Sequence, residues 1–248
     1  MNGIPSIGSL VKENTELAGM LHKLGILFYK DADKTLDQVC RERGIDPEKV
    51  FSHFELLRKS KAFDLNQLSH YPIEILVSVL RHSHQLFIKQ KLPFLFHTIL
   101  ELDPDRFYNP EIAADLKMVF PIFAEDFIRH IYEEEDTLFE YIHFLMDCTR
   151  KIDNPGLLFI RMKAHGIQHF AMHHAGHDNE MAGIRQLTGG YSMPADTDLF
   201  TFTLYRELED FEMQLRQHAQ IENLLLLPKA LRLENEVRWR LDQIRPWN

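Results

Sequence analysis

The chain has 248 residues, and its 28 Lys and Arg against 37 Asp and Glu give a formal net charge of −9. This acidic balance gives no support to nucleic-acid binding, and no apolar run approaches the roughly 18 residues of a membrane span. The N-terminus lacks a basic region followed by an apolar core, and the two cysteines, Cys40 and Cys148, form no CxxC pair. These features predict a cytoplasmic protein without a signal peptide or a disulfide framework.

The first part of the chain, residues 1–65, is predicted to be a small helical domain. Gly25 and Gly44 are the expected ends of two of its helices, because glycine readily adopts the left-handed conformation that ends a helix. Asp46, followed by proline, is an expected helix start. The polar stretch 58–67 predicts a linker to the rest of the chain.

Four long helices are predicted after this linker, because apolar residues recur there at spacings of three and four. Pro93 and Pro121 should kink the first two helices, and Pro228 should end the fourth. Short connections between long helices favour an antiparallel bundle over residues 68–228, followed by an amphipathic tail at 229–248. The expected helices cover residues 72–102, 111–147, 157–187 and 196–226.

Two of these helices carry the pattern His-x-x-x-Glu followed by an apolar run. The pairs are His130 with Glu134 and His218 with Glu222, and residues four apart lie on one face of a helix. One such pair alone is usually a surface ion pair of little energetic value. Two pairs on the inward stripes of two helices predict a metal site, and imidazole with carboxylate suits iron, manganese or zinc.

The other two helices each place a histidine on the inward stripe. On the first helix this is His84, with His82 as the alternative on a mostly polar stripe. The third helix carries histidines at intervals of four residues, namely His165, His169, His173 and His177. Each interval rotates the side chain by about 40° beyond a full turn, so these histidines cannot all be ligands of one site. His177 is the expected ligand, and His173 either binds metal or orients another ligand. The remaining histidines, expected to be solvated or to contact ligands, are His165, His169 and His174.

The sequence resembles the repair-of-iron-centres proteins. The resemblance rests on residues 130–139 (HIYEEEDTLF), 177–194 and 218–231, which are similar to the family patterns HxxxEExxLF, EHxxxGxxLxxIRxLT and HxxxENxxLFPxA. A Leu-Pro pair after His84 adds to it, and the resemblance covers nearly the whole chain. It implies an all-α fold, in which a small N-terminal helical domain precedes a hemerythrin-like antiparallel four-helix bundle.

The resemblance also implies a cofactor of two iron ions joined by an oxygen bridge. A seventh protein ligand, His173, would leave about one open iron position instead of about two, which favours reversible binding of O2 or NO. The ligands implied by the resemblance are His84, His130, His177 and His218 as terminal ligands and Glu134 and Glu222 as bridging carboxylates.

The N-terminal segment resembles the small domain of the same family with one departure. Tyr29 and Lys30 stand where the family has two adjacent cysteines, so thiol chemistry of that pair is absent or different here. Cys40 matches a family cysteine position, and it is expected to be a buried small residue rather than a redox centre.

The function implied by the resemblance is repair of iron–sulfur clusters damaged by nitrosative or oxidative stress, through iron donation or NO handling. The implied partners are damaged iron–sulfur proteins and NO or O2, without nucleic acid or membrane, and a homodimer is compatible with the family. One alternative is a hemerythrin-like module that binds or senses O2 or NO without repair. Another is a metal-free helical interaction protein.

Overall fold

The computed structural model describes residues 4–58, 64–104, 107, 109–174 and 179–244, with the backbone alone at 53–58, 165, 173 and 174. Within these ranges the chain is helical and contains no strand, apart from one isolated bridge between Ser6 and Thr35. None of the described helices is long and apolar enough to span a membrane. The predicted all-α class is confirmed for these residues, and the hemerythrin-like arrangement stays a prediction.

The chain divides into two compact units, each built from three segments. The first unit comprises Met1–Phe63, Phe87–Pro121 and Met181–Met213, and the second comprises Asp64–Leu86, Ile122–Glu180 and Gln214–Asn248. The two units are groups of residues that contact one another in space, so each joins segments that are distant in the sequence. The sequence domains expected at 1–65, 68–228 and 229–248 stay predictions.

The N-terminal helices begin and end where their capping residues predict. Thr35 forms a capping box with Gln38, and the Asp46 side chain accepts the Glu48 backbone N–H at 3.0 Å. Gly44, at φ 66°, ends its helix with the two backbone hydrogen bonds of a Schellman motif. The helices are α1 (Ile7–Glu13), α2 (Glu16–Lys23), α3 (Leu36–Glu42), α4 (Pro47–Arg58) and α5 (Leu65–Ser69).

The core of the first unit is formed by the apolar faces of these short helices. Ile7, Leu17 and Leu36 are fully buried in it, and Phe94 joins the same cluster from a later segment. Cys40 is also fully buried there, and burial raises the pKa of its thiol. The expectation of a buried, apolar environment for Cys40 is therefore confirmed.

The long helices are interrupted by five-residue π-helical turns. The first predicted helix is observed as α6 (Ile73–Leu86), the π-helical turn π1 (Phe87–Lys91) and α7 (Leu92–Leu100). The second is observed as α8 (Pro110–Glu134), π2 (Glu135–Phe139) and α9 (Glu140–Arg150). The last long segment consists of α13 (Leu199–Ile221), π3 (Glu222–Leu226) and α14 (Leu227–Ile244). Of these helices, α8 and α13 supply residues to both units.

The expected helix end at Pro228 was wrong. In π3 the backbone N–H of Leu227 bonds to the carbonyl of Glu222, five residues back, so a new α-helical segment starts at Leu227. Proline is tolerated in the first turn of such a segment, where a missing N–H has the smallest effect. Pro121 likewise lies inside α8 without ending it.

The expected continuous third helix was also wrong. It is broken at Gly166, whose φ of −55° and ψ of 143° are extended, between α10 (Pro155–His165) and α11 (Ile167–His174). A Cβ atom at Gly166 would lie 3.1 Å from the Met162 carbonyl oxygen and 3.5 Å from a Glu234 carboxylate oxygen. Glycine therefore avoids a tight contact with the Met162 carbonyl, whereas the distance to Glu234 is an ordinary van der Waals contact. A separate short helix, α12 (Ala182–Leu187), completes the segment.

The second unit is organised around α14. This helix contacts α9 and α11, while α6 contacts π3 at the start of α14. Leu226, Ala230 and Val237 are fully buried along this segment. The arrangement brings α6, the end of α8 and the end of α13 together around π3.

Candidate metal centre

Four buried side chains in the second unit converge on one point. They are His84 on α6, Glu134 at the end of α8, His218 on α13 and Glu222 at the start of π3. One donor atom from each lies within 4.8 Å of all the others. Their exposed fractions are 1% for His84, 1% for Glu134, 8% for His218 and 2% for Glu222.

The distances within this cluster are those of groups that face a shared centre. His84 Nε2 lies 3.3 Å from Glu134 Oε2 and 3.1 Å from His218 Nε2. His218 Nε2 is 3.3 Å from Glu222 Oε1. Both imidazoles thus present Nε2 to the carboxylates, and the pair His218 and Glu222 spans one turn as its spacing predicts.

Glu134 joins a further histidine to the cluster. His130 Nε2 lies 3.1 Å from Glu134 Oε1, whereas Glu134 Oε2 faces His84. The two oxygens of one carboxylate are therefore directed at two different imidazoles.

His84 has a second carboxylate neighbour on the opposite edge of its ring. Its Nδ1 atom is 2.8 Å from Glu135 Oε1, and its ring stacks on Phe139 with centroids 5.6 Å apart. Burial lowers the pKa of His84, but hydrogen bonds to Glu134 and Glu135, together with the charges of Glu134 and Glu222, outweigh this effect and raise the pKa above its ordinary value.

The π-helical turns lie next to the cluster residues in the chain. His84 precedes π1 by three residues, Glu134 directly precedes π2, and Glu222 is the first residue of π3. Such turns are rare and occur most often at functional sites. Each π-helical turn follows a helix that carries a residue of the cluster, which is His84 in α6, Glu134 in α8 and His218 in α13.

The chemistry of the donor set fits a metal ion. Imidazole nitrogen and carboxylate oxygen without thiolate suit iron, manganese or zinc. Two buried carboxylates that approach each other this closely require compensating positive charge. A cation between His84, Glu134, His218 and Glu222 would provide it.

Of the two histidines weighed on the first helix, the structure brings His84 into the cluster and leaves His82 exposed. His177 lies outside the described residues, and so does the side chain of His173, so their predicted ligation stays a prediction. His169 is exposed. Glu133 and Glu135 flank Glu134 in the sequence, which predicts that they are solvated or contact a ligand; Glu133 is exposed, and Glu135 contacts His84.

The second unit also contains a buried polar pair apart from this cluster. The Tyr141 hydroxyl donates to Glu234 Oε1 at 2.7 Å, and both residues are nearly inaccessible. Burial, and then the hydrogen bond to Glu234, raise the pKa of Tyr141 above its usual range. The Glu234 carboxylate therefore accepts a hydrogen bond from a neutral hydroxyl within the protein.

Comparison with known proteins finds a distant similarity over most of the chain. The chain is 21% identical over 229 residues to the iron-sulfur cluster repair protein YtfE of Yersinia pseudotuberculosis serotype IB (strain PB1/+). The matched region covers 92% of this chain and 97% of that protein. This chain is similar to a repair protein over most of its length. No family model matches the sequence.

Proposed function

We propose that the chain is a non-haem di-iron protein that takes part in the repair of damaged iron–sulfur clusters. The observation that carries the proposal is the convergence of His84, Glu134, His218 and Glu222 in the interior of the second unit. The similarity to an iron–sulfur cluster repair protein supports the choice of iron and of repair.

In this proposal the cofactor is a pair of irons with an oxygen bridge, which would supply a redox-active centre or iron for donation. Glu134 presents one oxygen to each side of the centre, and Glu222 contributes the second carboxylate. The proposed terminal ligands are His84, His130, His177 and His218, with His173 as an additional ligand or an orienting neighbour. The arrangement proposed for the whole chain is the hemerythrin-like four-helix bundle.

The surroundings of the cluster would keep water away from it. Leu138 and Phe139 follow Glu134 in π2, and Leu226 closes π3, and all three are almost completely buried. An apolar shell strengthens the interaction between carboxylates and a cation, because it lowers the local dielectric constant. NO or O2, which are small and apolar, are the proposed ligands at open iron positions.

The proposed substrates are damaged iron–sulfur proteins, and the proposed location is the cytoplasm. Both cysteines are buried and free, which suits a reducing compartment. A homodimer is part of the same proposal by resemblance alone.

One observation favours the second candidate function, binding or sensing of O2 or NO without repair. Tyr29 and Lys30 replace the family's cysteine pair, and the Tyr29 ring packs edge-on against Phe200 with centroids 4.8 Å apart. This position therefore has a packing role in the first unit. Repair that depends on thiols at this position would be lost, whereas gas binding in the second unit would not.

The experiment that tests the proposal is iron analysis with an optical spectrum of protein purified aerobically from iron-supplied cells. We expect about two irons per chain, as an octahedral pair requires, with near-ultraviolet oxo-bridge absorption. Glu134→Ala and Glu222→Ala should lose the iron. Glu133→Ala is the matched control, because Glu133 is exposed and precedes Glu134.

Absence of iron in the wild-type protein, even after anaerobic reconstitution with ferrous iron, would overturn the proposal. A metal-free interaction protein predicts that Glu134→Ala and Glu222→Ala leave stability unchanged or raise it. Rapid transfer of iron to an apo iron–sulfur protein would separate repair from sensing, since a sensor retains its iron.

A further inference from the structure

We infer that Glu135 is the residue that positions His84 for metal binding, by accepting the proton on Nδ1 and so directing Nε2 into the cluster. The inference rests on the proposed function, because it assigns a role in the same centre. Glu135 is not one of the proposed ligands, and its oxygen lies on the edge of the His84 ring that faces away from His218.

The two glutamates that hold His84 are consecutive in the chain. Glu134 Oε2 is 3.3 Å from His84 Nε2, and Glu135 Oε1 is 2.8 Å from His84 Nδ1. Neighbouring residues of an α-helix point about 100° apart. Glu134 ends α8 and Glu135 opens π2, so the pair that encloses the imidazole lies at the change of helix type.

The contact with Glu135 assigns the two ring nitrogens of His84 different roles once a metal is bound. A metal-bound imidazole carries its one N–H on the other ring nitrogen, and a carboxylate oxygen accepts such a hydrogen bond. Glu135 would therefore hold the proton on Nδ1, while Nε2, which faces Glu134 and His218, binds the metal. Carboxylates that accept the second N–H of a histidine ligand commonly fix its orientation and basicity in metal sites.

The ring plane of His84 is restrained as well as its proton. Phe139 stacks on the imidazole with an interplanar angle of 9°, and the Arg81 guanidinium lies 5.7 Å from the Phe139 ring centroid. With the ring held between Phe139 and Glu135, the direction of Nε2 is determined before a metal arrives. The side chain of Glu135 is 30% exposed, so it can be changed without emptying a buried space.

The test compares Glu135→Ala and Glu135→Gln with Glu133→Ala, the control that removes the exposed glutamate on the other side of Glu134. Affinity for ferrous iron is measured by competition with a chelator. Glu135→Ala should weaken binding roughly 10–100-fold, the usual cost of removing such a partner. Glu135→Gln should lie between Glu135→Ala and the wild type, because its amide oxygen still accepts a hydrogen bond. Glu133→Ala should bind as the wild type does.

A second readout uses protein loaded with diamagnetic Zn2+, which suits the same donor set. Imidazole-nitrogen NMR of histidine-labelled protein should show His84 with its proton on Nδ1 and the metal on Nε2, and Glu135→Ala should lose the signal of this hydrogen-bonded N–H. Wild-type affinity in Glu135→Ala would overturn the inference. If Glu135→Ala does not fold, Glu135→Gln decides in the same way.

The two proposals can fail separately. A wild-type protein that binds no iron overturns the proposed function and, with it, the metal role of Glu135. Glu135 variants that bind iron as strongly as the wild type remove the inference alone and leave the di-iron centre standing.

Discussion

Among the described residues of the second unit, three glutamates are almost completely buried, and their neighbours distinguish their roles. Glu134 and Glu222 converge with imidazoles, and each faces a histidine nitrogen at 3.1–3.3 Å. Glu234 instead accepts the hydroxyl of Tyr141 and lies 3.9 Å from the Arg238 guanidinium. The first two are proposed metal ligands, whereas the third has its hydrogen-bond partner within the protein.

We expect Tyr141→Phe to destabilise the protein without affecting metal binding. The change removes the donor to a buried carboxylate, and the loss of such a hydrogen bond costs about 1–3 kcal/mol. The measurement is the free energy of unfolding from urea denaturation, with iron content measured on the same samples.

Tyr132→Phe is the matched control, because Tyr132 is 55% exposed. Its effect should stay within about 0.5 kcal/mol, as is usual for surface positions. Equal effects of the two changes would show that the Tyr141–Glu234 hydrogen bond contributes nothing measurable to stability.

At the scale of the elements, the helix ends follow from local chemistry. Gly44 has a left-handed φ of 66°, and a Cβ atom added to it would meet no other atom within 4 Å. A substitution there therefore adds backbone strain alone, without a clash. This makes the position a clean measure of what the C-terminal cap of α3 contributes.

We expect Gly44→Ala to lower the free energy of unfolding by about 1–2 kcal/mol, the cost of the left-handed conformation for a residue with a Cβ atom. Gly183→Ala, in α12, is the control, since it also meets no atom within 4 Å and its φ is not positive. Alanine favours a helix over glycine by about 1 kcal/mol, so this control should be neutral or stabilising. Thermal unfolding should show a lower Tm for Gly44→Ala and an unchanged or higher Tm for Gly183→Ala.

The sequence predicted helix ends where a residue type that favours a cap marks them. Gly44 and Asp46 are residue types that favour a helix end, and their helices end and begin there as expected. The π-helical turns and the break at Gly166 were not predicted. No characteristic residue composition marks a π-helical turn, and a single glycine inside an apolar helical pattern does not by itself predict a break.

The candidate site was predictable in part for the same reason. His218 and Glu222 are four residues apart, and this spacing, which can be read from the sequence, places both on one face of a helix. The contact of His84 with Glu135 depends on how α6 meets π2, 51 residues away, and no local pattern encodes that distance. The ligation expected of His173 and His177 stays a prediction.

At the scale of the whole molecule, a bound metal should stabilise the fold. A ligand that binds the folded state alone, at about 100 times its dissociation constant, adds about 2.7 kcal/mol to the free energy of unfolding. For a chain of this size, that corresponds to a rise in Tm of roughly 5–11 °C. Calorimetry of the protein before and after chelation of iron measures the shift.

The variants separate this effect from unspecific metal binding. Glu134→Ala and Glu222→Ala should show no change in Tm when iron is added or removed, while Glu133→Ala should keep the full shift. A wild-type Tm that does not depend on iron would mean that the cluster does not bind it in the folded protein.

The separation of His84 and His218 along the chain also bears on when such a centre can form. Their Nε2 atoms are 3.1 Å apart, yet the two residues are 134 positions apart in sequence. During synthesis His84 emerges long before its neighbour, and closing so long a loop has an entropic cost that the first contacts cannot recover. Two of the four donors are missing until His218 and Glu222 have been translated. The complete donor set would therefore be available to metal only after Glu222 has been synthesised, late in the chain.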